Sequence, residues 1–336
     1  MKILFFYNEE WEKDYFSQKI NDDFEIEFLK GRIQDHSDFE DNKVEILSVF
    51  VGSHVDAFVL DKFPNLKCIT TRSTGFDHID IEEAKKRGIA VLNVPTYGSV
   101  TVAEFAFALL LSVSRKIFPA YEQVLNRGDF EKKGLRGFDL NGKVLGVVGT
   151  GNIGQNVIRM GNGFGMKVIA FDTCRNDELA KENNFEYVEF DDLLKISDVV
   201  TLHVPYNPHT RHLLNKDNFG KMKESVVIIN TSRGGVIETE ALVEALKDDR
   251  VAGAGLDVLE AEIYMGKELD SLNKENASDE DLDTVLHNQY LIDHPNVIIT
   301  PHNAFNTQEA IERIFDVTVE NIKSFGEGEV VNKVLL

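Results

Sequence analysis

The sequence predicts an α/β protein built from two doubly wound parallel-sheet units, the second inserted into the first. Three observations carry that prediction. Short apolar runs alternate with helical patterns over nearly the whole chain, as in parallel sheets crossed by helices. A glycine loop, Gly149-Thr150-Gly151-Asn152-Ile153-Gly154, follows the buried run Val144–Val148 and opens an apolar-periodic helix, yet more than a third of the chain precedes it. The length, 336 residues, exceeds what one ordinary core accommodates, so two domains are expected.

Before the loop, the runs Lys2–Tyr7, Phe24–Leu29, Val44–Val51, Leu66–Thr71 and Ile89–Leu92 read as strands. Helical patterns over Glu10–Ile20, Val55–Lys62 and Glu82–Arg87 lie between them, the last stopped by Gly88. One long helix is expected from Val100 to Leu125. It is rich in Ala, Leu and Phe almost all round, so it should be buried on several sides. The second unit takes strands at Val144–Val148, Lys167–Phe171, Val199–His203, Ser225–Asn230, Val251–Leu256 and Val297–Thr300. A last helix, Gln308–Ser324, returns to the first unit, because the chain after Pro301 resumes without a strand of its own. The expected domains are therefore 1–98 with 303–336, and 99–302 between them. Residues 261–293, acidic and Asn/Ser-containing, read as a weakly helical surface excursion.

Charge and composition exclude several function classes. With 36 basic and 57 acidic residues the net charge is −21, which argues against nucleic acid or an acidic membrane as partner. No apolar stretch approaches the ~18 residues of a spanning helix. The two cysteines, Cys68 and Cys174, have no paired spacing, as expected in a reducing compartment, the cytoplasm. His203, His209 and His212 lack a carboxylate or cysteine at ligand spacing and read as solvated histidines, so no metal is expected.

The glycine loop sits in the strand–turn–helix setting of a dinucleotide site. The first glycine permits the tight turn, the second lets backbone approach a pyrophosphate, and the third lets helix and strand pack closely. The helix N-terminus offers free N–H groups to the phosphates. Asp172 closes the next strand, 18 residues past Gly154, where a carboxylate bonds ribose hydroxyls and repels a 2′-phosphate. NAD is thus favoured over NADP, with Arg175 close by.

Three segments then resemble one family: Gly146 to Gln155 (GVVGTGNIGQ), Asn230-Thr231-Ser232-Arg233-Gly234-Gly235, and Thr300-Pro301-His302-Asn303-Ala304-Phe305. Their order and nearly the whole chain resemble the D-isomer-specific 2-hydroxyacid dehydrogenases, most closely the fermentative D-lactate branch. The resemblance implies a Rossmann-type NAD domain inserted into a discontinuous, flavodoxin-like substrate domain. It assigns Arg233 to a substrate carboxylate, a task suited to a guanidinium fork. It makes His302 the proton donor and Glu262 its partner, since imidazole transfers protons near neutrality and a carboxylate holds its charged form. Glu262 lies five residues past Asp257, with Glu260 as the alternative.

On the same resemblance, Gly149, Gly151, Asn152, Ile153, Gly154, Asp172, His203, Val204, Pro205, Thr210, Thr231, Ser232, Arg233 and Asp257 bind cofactor. Asp257 would lie near the nicotinamide, although a strand-end acid capping the following turn is the alternative. Thr74 and Gly75 offer backbone N–H donors to the substrate carboxylate, while Tyr97 and Phe305, with Phe50 a weaker candidate, wall a small apolar pocket. The absence of a further basic cluster argues against a phosphorylated substrate. The expected reaction is pyruvate to D-lactate with NADH in a cleft that closes between the domains. A homodimer through residues 100–125 is expected. The rivals are a broader enzyme for branched-chain 2-keto acids and an NAD-sensing corepressor-like regulator.

Overall fold

The computed structural model describes residues 1–20, 23–265 and 278–334. These divide into two compact units, Met1–Tyr97 with Thr307–Leu336, and Gly98–Asn306. Each is built on one parallel sheet.

The first unit takes β1 (Lys2–Tyr7), β2 (Glu25–Lys30), β3 (Val44–Val49), β4 (Cys68–Thr71) and β5 (Ala90–Leu92). They are ordered β2-β1-β3-β4-β5. Alternate side chains of β1 serve opposite faces, as strand geometry dictates. Leu4 and Phe6 join Leu47, Val49 and Ile69 on one face, whereas Ile3 and Phe5 join Ile46 and Cys68 on the other. That second face is closed by the Gln308–Gly326 helix through Phe315, Val319 and Ile322. Phe16 and Phe315 meet edge to face at 5.2 Å. Burying each such ring is worth about 1.5–3 kcal/mol.

The second unit takes β6 (Val144–Val148), β7 (Lys167–Phe171), β8 (Glu186–Tyr187), β9 (Val199–Leu202), β10 (Val226–Asn230), β11 (Val251–Leu256) and β12 (Val297–Ile299). Their order is β12-β11-β10-β9-β6-β7-β8. The strand order reverses between β6 and β9, the switch point where open α/β sheets place ligands. Because every pairing is parallel, Gly149, Asp172, His203, Thr231, Asp257 and Thr300 all follow strands at one edge of the sheet.

Three expectations change. The helix expected over Val100–Leu125 is two, Ser99–Ser114 and Ile117–Arg127, parted at Lys116 with φ 53°. There the Ser114 carbonyl accepts from Phe138 N–H at 3.0 Å, and the returning chain takes the place of a further helical turn. Ser99–Ser114 is core of the second unit, whereas Ile117–Arg127 buries no residue. The two-residue edge strand β8 is too short to show as a pattern. Finally, the expected excursion is only partly one. Asp279–Asp293 is a regular helix with Asn288 and Leu291 buried, packed on the Thr239–Lys247 helix. Residues 266–277 of that stretch lie outside the described residues.

Candidate active site

The turns after β10, β11 and β12 carry Arg233, Glu262 and His302. Asp257, at the end of β11, is 1% exposed and organises the His302 turn. Its carboxylate accepts from Thr300 Oγ1 at 2.5 Å and from the N–H groups of Asn303 and Ala304, each at 2.8 Å. Its carbonyl accepts from His302 N–H at 2.8 Å. Burial pushes the Asp257 carboxyl up, against those three donors. Asp257 thus holds the turn that carries His302. The clamp also holds His302 in the left-handed region, φ 51°, a conformation that only surrounding structure sustains in a non-glycine residue.

His302 Nδ1 lies 2.9 Å from Glu262 Oε1, with the two side chains 35% and 40% exposed. Burial works to raise the Glu262 carboxyl, but the His302 hydrogen bond and charge, Leu259 N–H and the Arg233 charge together take it below its ordinary value. With Nδ1 committed, Nε2 is the ring nitrogen left for other work, and no described residue occupies it. The alternative acid goes elsewhere: Glu260 Oε1 lies 2.6 Å from His212 Nε2.

Arg233 is half-buried, and its Nη1 donates to Ser232 O at 2.7 Å. Asn230 shapes this turn, accepting from Ser232 N–H and Oγ and donating to Arg233 O. The turn rests directly on the one carrying Glu262. A Cβ on Gly234 would lie 1.9 Å from the Leu259 carbonyl carbon, so only glycine allows that approach.

At the switch point the residues fit a dinucleotide. Gly149 takes φ +95°, and a Cβ there would lie 2.5 Å from His203 O; one on Gly154 would lie 2.0 Å from Gly149 O. By contrast, Gly151, the N-cap of the Asn152–Gly163 helix, faces open space and makes no side-chain cap bond. The first N–H groups of that helix therefore remain available to an anion. Asp172 accepts from Thr150 N–H at 2.7 Å and from Cys174 N–H at 2.9 Å. Burial opposes its ionisation, yet these and other loop bonds draw its carboxyl down, so it stands charged. Arg175 is paired with Glu189 at 2.6 Å.

Burial pushes the His203 imidazole down to about 3, and its Nδ1 has no partner. Its Nε2 lies 2.8 Å from Thr201 Oγ1. The Thr231 hydroxyl is likewise buried and unpartnered. Thr210 is spent within its own turn, donating to Pro205 O at 2.6 Å, while Val204 and Pro205 continue the loop after β9.

In the first unit the loop after β4 is held by side chains. Ser73 Oγ donates to Gly75 O at 2.6 Å, and Thr74 Oγ1 donates to Val94 O at 2.8 Å. The N–H groups of Thr74 and Gly75 donate to no described residue. Tyr97 O accepts from Arg313 Nε at 2.8 Å. Phe305, in the second unit, is half-buried beside the His302 turn.

Sequence reasoning missed the anchor of the first-unit loop. Arg72, 3% exposed, pairs with Glu12 at 3.1 Å, donates to Phe6 O, and stacks over Phe5 at 4.4 Å. Burial pulls its guanidinium down to about 10 against the Glu12 charge. An acid on the helix face that also presents Phe16 was the available signal.

Comparison with known proteins agrees with this geometry. The family profile for "D-isomer specific 2-hydroxyacid dehydrogenase, NAD binding domain" matches residues 107–304. The glyoxylate reductase of Thermococcus litoralis is 39% identical over 305 residues, covering 88% of this chain and 85% of that protein. The D-lactate dehydrogenase of Escherichia coli is 35% identical over 333 residues, covering 98% of each. Among solved structures, the D-lactate dehydrogenase of Aquifex aeolicus, complexed with NAD and lactic acid, superimposes with a TM-score of 0.84. It is 35% identical and covers 97% of this chain and 96% of its own. The chain belongs to the D-isomer-specific 2-hydroxyacid dehydrogenases, and its second unit carries their NAD-binding domain.

Proposed function

We propose that this protein reduces a small 2-keto acid to the D-2-hydroxy acid, with pyruvate to D-lactate as the principal reaction. The observation that carries the reading is the His302–Glu262 pair at 2.9 Å, set one turn from Arg233. NADH, when bound, supplies the hydride that reduces the carbonyl carbon. Arg233 binds the substrate carboxylate and polarises the carbonyl. In the first unit, the uncommitted N–H groups of Thr74 and Gly75 are donors suited to a carboxylate. His302, oriented by its Nδ1 contact with Glu262, gives the Nε2 proton to the carbonyl oxygen as the hydroxyl forms. Gly149 to Gly154 and Asp172 bind the dinucleotide, Asp172 by accepting from ribose hydroxyls. Asp257 serves by holding the His302 turn. Phe305, beside the His302 turn, and Tyr97, in the first unit, are the aromatic candidates for contact with a small apolar substituent.

NADH oxidation across glyoxylate, pyruvate, hydroxypyruvate and 2-ketoisocaproate, with product stereochemistry, tests this reading. The expected result is the largest kcat/KM for pyruvate and a D product. A preference for glyoxylate, the substrate in the name of the Thermococcus relative, or for the branched keto acid would replace the substrate but keep the chemistry.

We further infer a cytoplasmic homodimer. Ile117, Phe118, Tyr121 and Leu125 lie exposed along one helix and Phe130 follows at 82% exposure, an apolar patch of the kind that marks an interface. Within the expected interface region, residues 100–125 and the segment 127–140 after them, Ile117–Phe130 is the exposed part on which this reading rests. Light scattering of Phe118→Glu, expected to be monomeric against a dimeric parent, tests it.

A further inference from the structure

The turn after β11 carries two His–Glu pairs, and only one of them faces the chemistry. Glu262 meets His302. Glu260 meets His212 at 2.6 Å, and its other oxygen accepts from Thr239 Oγ1 at 2.9 Å and Thr239 N–H at 3.3 Å. The Glu260 carbonyl accepts from Nδ2 of Asn288, a side chain with 0% exposure, at 2.8 Å. Every acceptor of Glu260 is therefore tied to a different part of the unit.

His212 completes the link. It sits in the left-handed region at φ 50°, and its N–H donates to Gly235 O at 2.8 Å. One histidine thus holds the Arg233 turn by its backbone and the Glu262 turn by its ring. The two turns already touch at Gly234 and Leu259, and Leu259 N–H donates to Glu262 Oε2 at 3.3 Å. Between Glu260 and Glu262 the chain reverses at Ala261, φ 55°. A displacement of Glu260 is therefore passed directly to Glu262, whose own anchors are few and partly solvated.

We propose that Glu260 and His212 are positioning residues that set Glu262 against His302 and Arg233, without touching substrate or cofactor themselves. The proposal rests on the acid–base reading of His302 and Glu262. A misplacement near 1 Å in such a group costs about a hundredfold in rate, and a loosened one about tenfold.

The experiment is steady-state reduction of pyruvate as a function of pH for the wild type and for Glu260→Ala, Glu260→Gln, His212→Ala, His212→Gln and Glu262→Gln, with a thermal melt of each. Glu260→Ala and His212→Ala are expected to lower kcat about tenfold or more, with KM for NADH within about twofold. Both should also change the pH profile of kcat in the same direction as Glu262→Gln changes it, because each disturbs the same Glu262–His302 contact. His212→Gln, which keeps a donor for Glu260, should recover most of the loss. Melting temperatures that fall while kcat and the pH profile stay put would show a scaffold role alone and overturn the proposal. An unmoved profile in Glu262→Gln would overturn the acid–base reading and this inference with it; a moved profile there, beside an unmoved one in both alanine variants, would overturn the inference alone. If Glu260→Ala does not fold, Glu260→Gln and the His212 pair carry the same comparison.

Discussion

The two parallel sheets begin alike and treat the helix after their first strand in opposite ways. After β1 the helix Glu10–Lys19 starts with its own anion in place: the Glu12 carboxylate accepts from Glu9 N–H at 3.2 Å and pairs with buried Arg72. After β6 the helix Asn152–Gly163 starts at Gly151, with no side-chain cap and open space where a Cβ would be. Both N-termini carry the positive end of a helix dipole. One is neutralised internally and becomes structure. The other is left for a diphosphate. The same architecture therefore yields a scaffold in one unit and a cofactor site in the other, and a few side chains decide which.

The largest test of that division is His302→Gln. If the second sheet carries the acid–base chemistry, turnover should fall by about 10²–10⁴, while NADH affinity measured by fluorescence changes little. Near-normal turnover would remove His302 as proton donor. Next is Gly151→Val, whose Cβ would have no heavy atom within 4 Å. NADH affinity should fall by about tenfold or more, since the site depends on close backbone approach, and the melting temperature should hold. In the first unit the corresponding change, Glu12→Ala, should do the reverse. It strands a buried guanidinium at a cost of about 3–5 kcal/mol, read by urea unfolding, with NADH affinity intact. The combination Glu12→Gln with Arg72→Met should recover part of that loss, because no buried charge is left unpaired.

Smaller effects sharpen the picture. Asp172→Ala should narrow the NADH-over-NADPH ratio severalfold, and an unchanged ratio would count against its contact with ribose. Glu262 yields a pH prediction. Its carboxyl is lower in the folded protein than in the unfolded chain. Its contribution to stability is therefore complete above the ordinary carboxylate range and is lost as pH falls through the folded value. Melting curves of wild type and Glu262→Gln should differ at neutral pH and converge only once the pH has fallen below the ordinary carboxylate range.

Much of this was legible in the chain. Strands such as Lys2–Tyr7, Val144–Val148 and Val251–Leu256 show as apolar runs because both faces of a parallel sheet are covered. The glycine loop and the segments around Arg233 and His302 are local, each a few residues long, and survive as words. The break at Lys116 had one local signal, Pro119 three residues on, which the single-helix reading passed over; the bond that ends the first helix comes from Phe138. The helix Asp279–Asp293 was hidden, since its buried Asn288 and Leu291 face a partner far away in sequence.

The sequence by itself determined two parallel sheets and a dinucleotide loop after β6, because strand periodicity and turn chemistry act over a handful of residues, and three short motifs carried the resemblance to a family. Only the tertiary structure decided how neighbouring acids divide their work. Asp257, Glu260 and Glu262 lie within six residues of one another. One holds the His302 turn, one reaches His212, and one meets His302 itself. The partners come from the turn after β12 and the loop after β9, and the left-handed turn at Ala261 sends neighbouring carboxylates in different directions. No spacing rule along the chain contains that geometry.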